Sequence, residues 1–268
     1  MKLVREEYDA GVAALTLARP AAGNALVPEL LEALLAALRA ARDDPRVRAV
    51  LLRADGAAFS LGGDMRRFGA ECFADIQAYA AQLVALLNET ILTLAKLPQP
   101  VVAVVNGPVT GGSLGLVLAC DLVLVSPRAS FKAHYATVGF APDGGWTALL
   151  PRITGARRAA ACLLTNRTIS AEESVAWGLA NEMVDEERLE ARARETAAKI
   201  AAYPAGTMRA AKRLLAAESV VLTQALEAER QAFVSLVAGE EARRGVAAFL
   251  DSFSLYPQGD AFSAPRGS

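Results

Sequence analysis

The stretch from Val101 to Val125 constrains this fold more than any other part of the chain. It is strongly apolar and about long enough to span a bilayer. Asn106, Gly107, Pro108, Thr110, Gly111, Gly112 and Asp121 interrupt it and leave two short apolar runs. It therefore reads as buried elements of a soluble core, with no membrane span. Val101 to Val105 has the length and β-branched content of a fully buried strand, and a helix is expected from about Gly112. A buried strand that feeds a glycine turn and then a helix belongs to a layered α/β protein.

The flanking segments repeat that logic. Leu3–Tyr8 and Val12–Ala18 read as a strand pair turning at Asp9-Ala10-Gly11. A helix follows Pro28, carries Leu30, Leu31, Leu34, Leu35 and Leu38 at helical spacing, and ends near Asp43-Asp44-Pro45. Val47–Leu52 is a second buried strand. Asp75–Leu97 reads as a long helix closed by Pro98-Gln99-Pro100, and Leu122–Val125 and Ser130–Ala133 as short strands. From Ala156 onward helices dominate, with one strand near Ala180–Val184 and a capping-box start at Ser170-Ala171-Glu172-Glu173. The expected division is a core over residues 1–195 and a helical region over 196–268. No repeat of fixed period is visible.

Composition narrows the function. Apolar residues make up 53% and charged residues 21%, which is a folded globular balance. With 28 basic and 29 acidic residues there is no surplus to neutralise phosphates, so nucleic acid is not expected as a partner. Cys72, Cys120 and Cys162 are odd in number, far apart and form no CxxC, which speaks against a disulfide framework or zinc knuckle and for a reducing cytoplasm. His134 is the single histidine, so no His-based metal cluster is expected. The acidic start, Met1 to Glu7, shows no apolar signal core.

Two glycine loops are candidates for chemistry. Leu61-Gly62-Gly63-Asp64 follows the strand ending near Leu52, and Thr110-Gly111-Gly112-Ser113 follows Val101–Val105. Such turns leave backbone N–H groups unpaired and facing outward, with the positive end of a helix behind them. Either loop alone is an ordinary tight turn. Two that converge on one oxygen make an oxyanion hole. Gly111-Gly112-Ser113-Leu114-Gly115 also fits a nucleophile elbow, but no histidine follows Asp143 to complete a hydrolase triad.

Phe140-Ala141-Pro142-Asp143-Gly144-Gly145 has two readings that stand level. As a Pro-Asp-Gly turn, Asp143 merely caps a helix starting near Trp146. Framed by Val138, Phe140, Ala141 and Trp146, a partly buried carboxylate instead favours its neutral form and gains basicity, as a proton shuttle needs. Asp64 and Asp121 read as structural residues. His134 and Tyr135 precede this loop; a lone histidine is ordinarily a satisfied surface or core residue, and lining a pocket is the alternative for both. Arg243 and Arg244 read as a solvated helix face, with a phosphate contact as the alternative.

Taken in order, these residues resemble the enoyl-CoA hydratase/isomerase (crotonase) superfamily over roughly Lys2 to Asp251. The carriers are Arg19-Pro20…Asn24-Ala25-Leu26, Phe59-Ser60-Leu61-Gly62-Gly63-Asp64, Asn106-Gly107…Gly111-Gly112…Cys120-Asp121, and Gly139…Pro142-Asp143-Gly144-Gly145. Leu150-Pro151-Arg152, Gly155 and Ala176-Trp177-Gly178-Leu179-Ala180 follow in register.

The resemblance implies a crotonase-like spiral of ββα units with a C-terminal helical trimerisation region, giving a homotrimer or hexamer. It implies an acyl-CoA substrate, coenzyme A being part of that substrate, and no separate cofactor. The thioester oxygen is expected between the N–H groups of Leu61 and Gly112. Ala25, Gly62, Asp64 and Met65 are expected along the CoA moiety; Gly111, Gly115, Tyr135 and Phe140 complete the expected substrate-binding set. The family's hydratases carry two glutamates, and those positions here are Gly115 and Tyr135. A single acidic residue at Asp143 resembles the isomerases, since moving a double bond needs one base whereas adding water needs a held nucleophile as well. The family's basic CoA contacts are replaced by Gly23 and the run Asp251-Ser252-Phe253, leaving Arg66 or Arg67 for the phosphates, and a carrier-protein thioester stays open. The expectation is an isomerase acting on a double bond or ring epoxide. A hydratase, a retired acyl-CoA-binding scaffold and a serine hydrolase are its alternatives.

Overall fold

Strand burial explains the layering. A computed structural model of the chain describes residues 2–69, 75–215 and 219–255; Cys72 and the terminal segment 264–268 lie outside them. The antiparallel pair β1 (Val4–Asp9) and β2 (Val12–Leu17) leads to helix α1 (Pro28–Asp43) and strand β3 (Ala49–Ala54). Helix α2 (Ile76–Lys96) returns the chain to β4 (Val101–Val105). Next come β5 (Val109–Thr110), a 3-10 turn at Gly111–Ser113, α3 (Leu114–Leu118), β6 (Leu122–Val125), β7 (Ser130–Lys132) and α4 (Tyr135–Val138). Then follow α5 (Leu150–Thr154), α6 (Ala156–Leu164), β8 (Ile169–Ser170), α7 (Ala171–Ala176) and β9 (Glu182–Met183). The chain closes with α8 (Glu186–Ala202), α9 (Ala205–Leu215), α10 (Ser219–Val237) and α11 (Glu240–Leu255).

The main sheet runs β1-β2-β3-β4-β6-β9, parallel from β2 onward. Alternation along β4 sorts its side chains: Val101, Ala103 and Val105 join α1 and α2, while Val102 and Val104 join Leu189, Ala193 and Ala197 of α8. Both faces are covered, and β4 is buried throughout. The apolar stretch from Val101 to Val125 is thus β4, β5, α3 and β6, all inside the core. Among the described residues one helix, α2, is long and apolar enough to cross a membrane; here its Leu83, Leu87, Ile91 and Leu94 pack in the core.

A small second sheet, β5-β7-β8, stands beside the first. Its β7 matches the strand expected over Ser130–Ala133, whereas β5 and β8 are absent from the sequence reading because two-residue strands display no period. For the same reason the strand expected over Ala180–Val184 shrinks to β9, and the helix expected from Gly112 opens as a 3-10 turn. The capping box at Ser170 is present: its side chain accepts from the Glu173 N–H, and Glu173 accepts from the Ser170 N–H.

The expected boundary at 195/196 falls inside α8, whose Ala193 and Ala197 both pack on the sheet. The core therefore runs to the end of α8. Beyond it, Leu226, Phe233, Val237, Ala242 and Val246 of α10 and α11 enter the same apolar cluster as α1 and α2. Asp121 is structural, as expected. It accepts from the Val101 N–H at 2.7 Å and pairs with the buried Lys212 at 2.7 Å, which fastens α9 to the sheet.

Candidate active site

The two glycine loops meet through backbone. Ser60 and Val109 form an isolated bridge, with Thr110 N–H donating to the Ser60 carbonyl at 3.0 Å. Gly62 has φ +74°, and a Cβ there would lie 2.7 Å from the Thr110 carbonyl oxygen. Only glycine allows that approach. Ser113 is fully buried and donates to the carbonyls of Ser60 (3.0 Å) and Thr110 (2.7 Å). It staples the loops together, and its hydroxyl is not presented as a nucleophile.

The first-loop donor differs from the one expected. Leu61 N–H already donates to the Gly23 carbonyl at 3.0 Å, so it is not free for an oxyanion. The bridge between Leu26 and Gly63 uses the Gly62 carbonyl and the Asp64 N–H, which turns the Gly63 N–H away from Leu26. Gly63 lines the cavity, and its N–H has no acceptor among the described residues. Gly112 lies in the first turn of the 3-10 segment, where N–H groups lack intrahelical acceptors. The open donors are therefore Gly63 and Gly112, one from each loop, and Leu61 contributes a side chain to the wall.

Asp143 stands beside them. It is 5% exposed, and its Oδ1 lies 2.8 Å from where a Cβ on Gly112 would be. The buried Tyr135 hydroxyl donates to Asp143 Oδ1 at 2.5 Å and to its main-chain oxygen at 3.1 Å. Burial pushes the Asp143 carboxyl up to about 7; the Tyr135 hydrogen bond opposes this, and the nearby Glu229 charge adds to it. Burial, with the Asp143 charge behind it, drives Tyr135 well above its ordinary range, so it stays a donor. His134 also faces the cavity; burial, with Lys132 adding, lowers it to about 4 and keeps it uncharged at neutral pH.

The remaining wall is apolar: Leu26, Met65, Phe68, Leu83, Leu87, Val138, Phe140, Phe233 and Phe249. Of the residues expected to bind substrate, Gly62, Met65, Gly111, Tyr135 and Phe140 line this cavity. Ala25, Asp64 and Gly115 do not line the cavity among the described residues. Asp64 pairs with Arg19 at 2.7 Å, and the same guanidinium binds the Ala25 carbonyl at 3.0 Å. Both are consumed in tying the first loop to the Arg19–Ala25 segment. Gly115 is packed against the Asp143 loop, where a Cβ would lie 2.5 Å from the Gly144 carbonyl oxygen. Of the arginines offered for phosphates, Arg67 is paired with Glu29 at 3.3 Å, whereas the exposed Arg66 makes no side-chain bond among the described residues.

Sequence reasoning missed Glu229 altogether. This buried carboxylate of α10 accepts from the N–H groups of Gly145, Thr147 and Ala148 and from the Thr147 hydroxyl. A signal was present. Glu229 sits on the apolar stripe Leu222, Leu226, Phe233 and Val237 of α10, where a charged residue needs partners.

The sequence profile described as enoyl-CoA hydratase/isomerase matches residues 7–255. A 4-chlorobenzoyl coenzyme A dehalogenase-2 from Arthrobacter sp is 37% identical over 198 residues, covering 74% of this chain and 72% of its own. A 1,2-epoxyphenylacetyl-CoA isomerase of Escherichia coli (strain K12) is 32% identical over 253 residues, covering 93% and 96%. Among solved structures, an enoyl-CoA hydratase from Bacillus halodurans superposes with a TM-score of 0.86 at 28% identity, over 92% of this chain and 99% of that one.

Proposed function

The chain belongs to the enoyl-CoA hydratase/isomerase family and has its crotonase-like fold, and from that premise we propose that it isomerises an acyl-CoA thioester. Asp143 carries one proton between two carbons while Gly63 and Gly112 N–H groups hold the enolate oxygen. One observation supports this above the others: Asp143 is the single carboxylate on the cavity wall among the described residues. The two positions at which the family's hydratases carry glutamates are held by Gly115, which has no room for a side chain, and by Tyr135, which serves Asp143.

The step needs no water. With a 3-enoyl thioester, the Asp143 carboxylate takes a proton from the carbon next to the carbonyl, and the C–H electron pair flows onto the thioester oxygen. That oxygen gains charge as the reaction proceeds, so two fixed N–H groups stabilise the transition state more than the substrate. Protonated Asp143 then returns its proton to the γ-carbon, leaving the double bond conjugated with the carbonyl. A carboxyl near 7 serves both halves, base first and acid second.

Incubation with 3-enoyl-CoA should give the 2-enoyl product without change of mass. kcat/KM should rise as pH increases through about 7, because only ionised Asp143 accepts the proton. Gain of one water as the main reaction, or a profile flat across that range, sinks the reading. The near-full-length likeness to the epoxyphenylacetyl-CoA isomerase favours ring-epoxide opening as a second form of the same mass-neutral chemistry. Release of chloride from 4-chlorobenzoyl-CoA, the chemistry in the dehalogenase's name, belongs in the same screen.

We further propose that the C-terminal helices build a trimer, or a hexamer of two trimers. Leu214 and Leu215 of α9 and Val220 and Val221 of α10 hold apolar side chains in solvent, a surface that association would cover. Sedimentation velocity should return an assembly of three or six chains. A monomer at micromolar concentration overturns this.

A further inference from the structure

The segment 143–149 that carries the base has no regular secondary structure of its own and contains two successive left-handed glycines, Gly144 (φ +60°) and Gly145 (φ +84°). Backbone N–H groups in a buried, irregular segment need acceptors from elsewhere. Glu229 supplies them. Its Oε2 accepts from Gly145 N–H at 2.8 Å, and its Oε1 from Thr147 N–H (2.8 Å), Ala148 N–H (2.9 Å) and Thr147 Oγ1 (2.6 Å). Each of these donors lies within five residues of Asp143. Among the described residues its side-chain partners are these loop donors alone, with no cation, and its charge bears on Asp143 by raising that carboxyl. It comes from α10, more than eighty positions later in the chain.

We propose that Glu229 is a positioning residue for Asp143: it clasps the loop from which Asp143 reaches the cavity and stands behind it as a second buried negative charge. The C-terminal helical region would then complete the catalytic base as well as the assembly. This inference rests on the reading of Asp143 as the proton carrier. The ionisable groups bearing on Asp143 are Tyr135 from α4 and Glu229 from α10, with the uncharged His134 on the same cavity wall. Tyr135 favours the carboxylate, whereas Glu229 opposes it. Removing the Glu229 charge should therefore let Asp143 release its proton at lower pH.

Glu229→Gln keeps the shape and one oxygen acceptor while removing the charge. The midpoint of the acid limb of kcat/KM is expected to move down by roughly half a pH unit or more. Infrared difference spectra give the Asp143 carboxylic C=O band, identified by its loss in Asp143→Asn, and read the same midpoint without turnover. A purely structural glutamate predicts lower kcat or stability with the midpoint unmoved, and that result overturns the proposal. If the infrared midpoint moves but neither protein isomerises any enoyl-CoA, the proton-shuttle reading falls and the coupling stands. If isomerisation persists with the midpoint unmoved, the reverse holds. Should Glu229→Gln fail to fold, Glu229→Asp shortens the clasp while keeping the charge. Its kcat should fall about tenfold or more with the midpoint retained, and wild-type kcat sinks the idea.

Discussion

Replacing Asp143 by Asn is expected to cut isomerisation by about 10²–10⁴-fold, the contribution of a positioned acid/base. Asn matches Asp in size, keeps an oxygen for the Tyr135 hydroxyl to donate to, and cannot take up a proton. KM should change little, because the wall that meets the acyl group is built from other residues. The same variant should be more stable than wild type at high pH. The Asp143 carboxyl is ordinary in the unfolded chain, near 3.8, and about 7 when folded. Between those values the folded protein holds a proton that the unfolded chain has released. The stability this contributes is full below about 4 and is lost as pH rises through about 7. At pH 8 the wild type keeps a buried charge that Asn lacks, a difference on the order of a few kcal/mol and several degrees in Tm. Unchanged turnover in Asp143→Asn ends the mechanism; a lower Tm than wild type at pH 8 shows that the carboxylate is not opposed by its surroundings.

Gly144→Ala should damage fold and activity together. At φ +60° an alanine is strained, by about 1–3 kcal/mol. Its Cβ would also lie 2.7 Å from the Gly112 carbonyl carbon, and closer still to the Gly112 oxygen and Cα. Backbone atoms cannot rotate out of the way as a side chain can, so overpacking adds roughly another 1–3 kcal/mol. Whatever fraction folds must do so with the Gly112 loop displaced, and the oxyanion donor moves with it. Urea unfolding should show a loss of roughly 2–6 kcal/mol, and the folded fraction should lose at least tenfold in kcat. Gly178→Ala separates the two effects: Gly178 has φ +78° but nothing within 4 Å of its Cβ position, so only backbone strain applies. Equal losses in the two variants would show that the contact with Gly112 is unimportant.

Long periodic elements were legible in the sequence, and so was the family to which the chain belongs. The leucine stripe of α1, the valine run of β4 and the interruption at Gly111-Gly112 carry the layered core on their face. A lone aspartate in an apolar frame was readable as either turn or base; the burial and the Tyr135 hydrogen bond that support the second reading are not properties of local sequence. The Leu61 N–H expected to be open is spent on Gly23, and the open one is Gly63, because peptide direction in a glycine loop follows from pairing with Leu26 and Gly23, which lie far away in the chain. Asp64 read as structural from its own loop, and its ion pair with Arg19 agrees; the contact with the CoA moiety came only from the resemblance, and the partner that holds the carboxylate lies forty-five positions away. Glu229 shows the opposite case. Its place on the α10 stripe was visible, but its partners arise from a loop that no periodicity describes.

The contact between Gly115 and the Gly144 carbonyl also bears on how such a chain could change its chemistry. Placing a glutamate at 115 is not a one-step conversion, because the space it needs is occupied by the very loop that carries Asp143. Either the loop retreats and gives up the aspartate's position, or the glutamate is excluded. A side chain at 115 and the present course of the Asp143 loop therefore exclude one another on this backbone, so position 115 acts as a steric lock on where that loop can run.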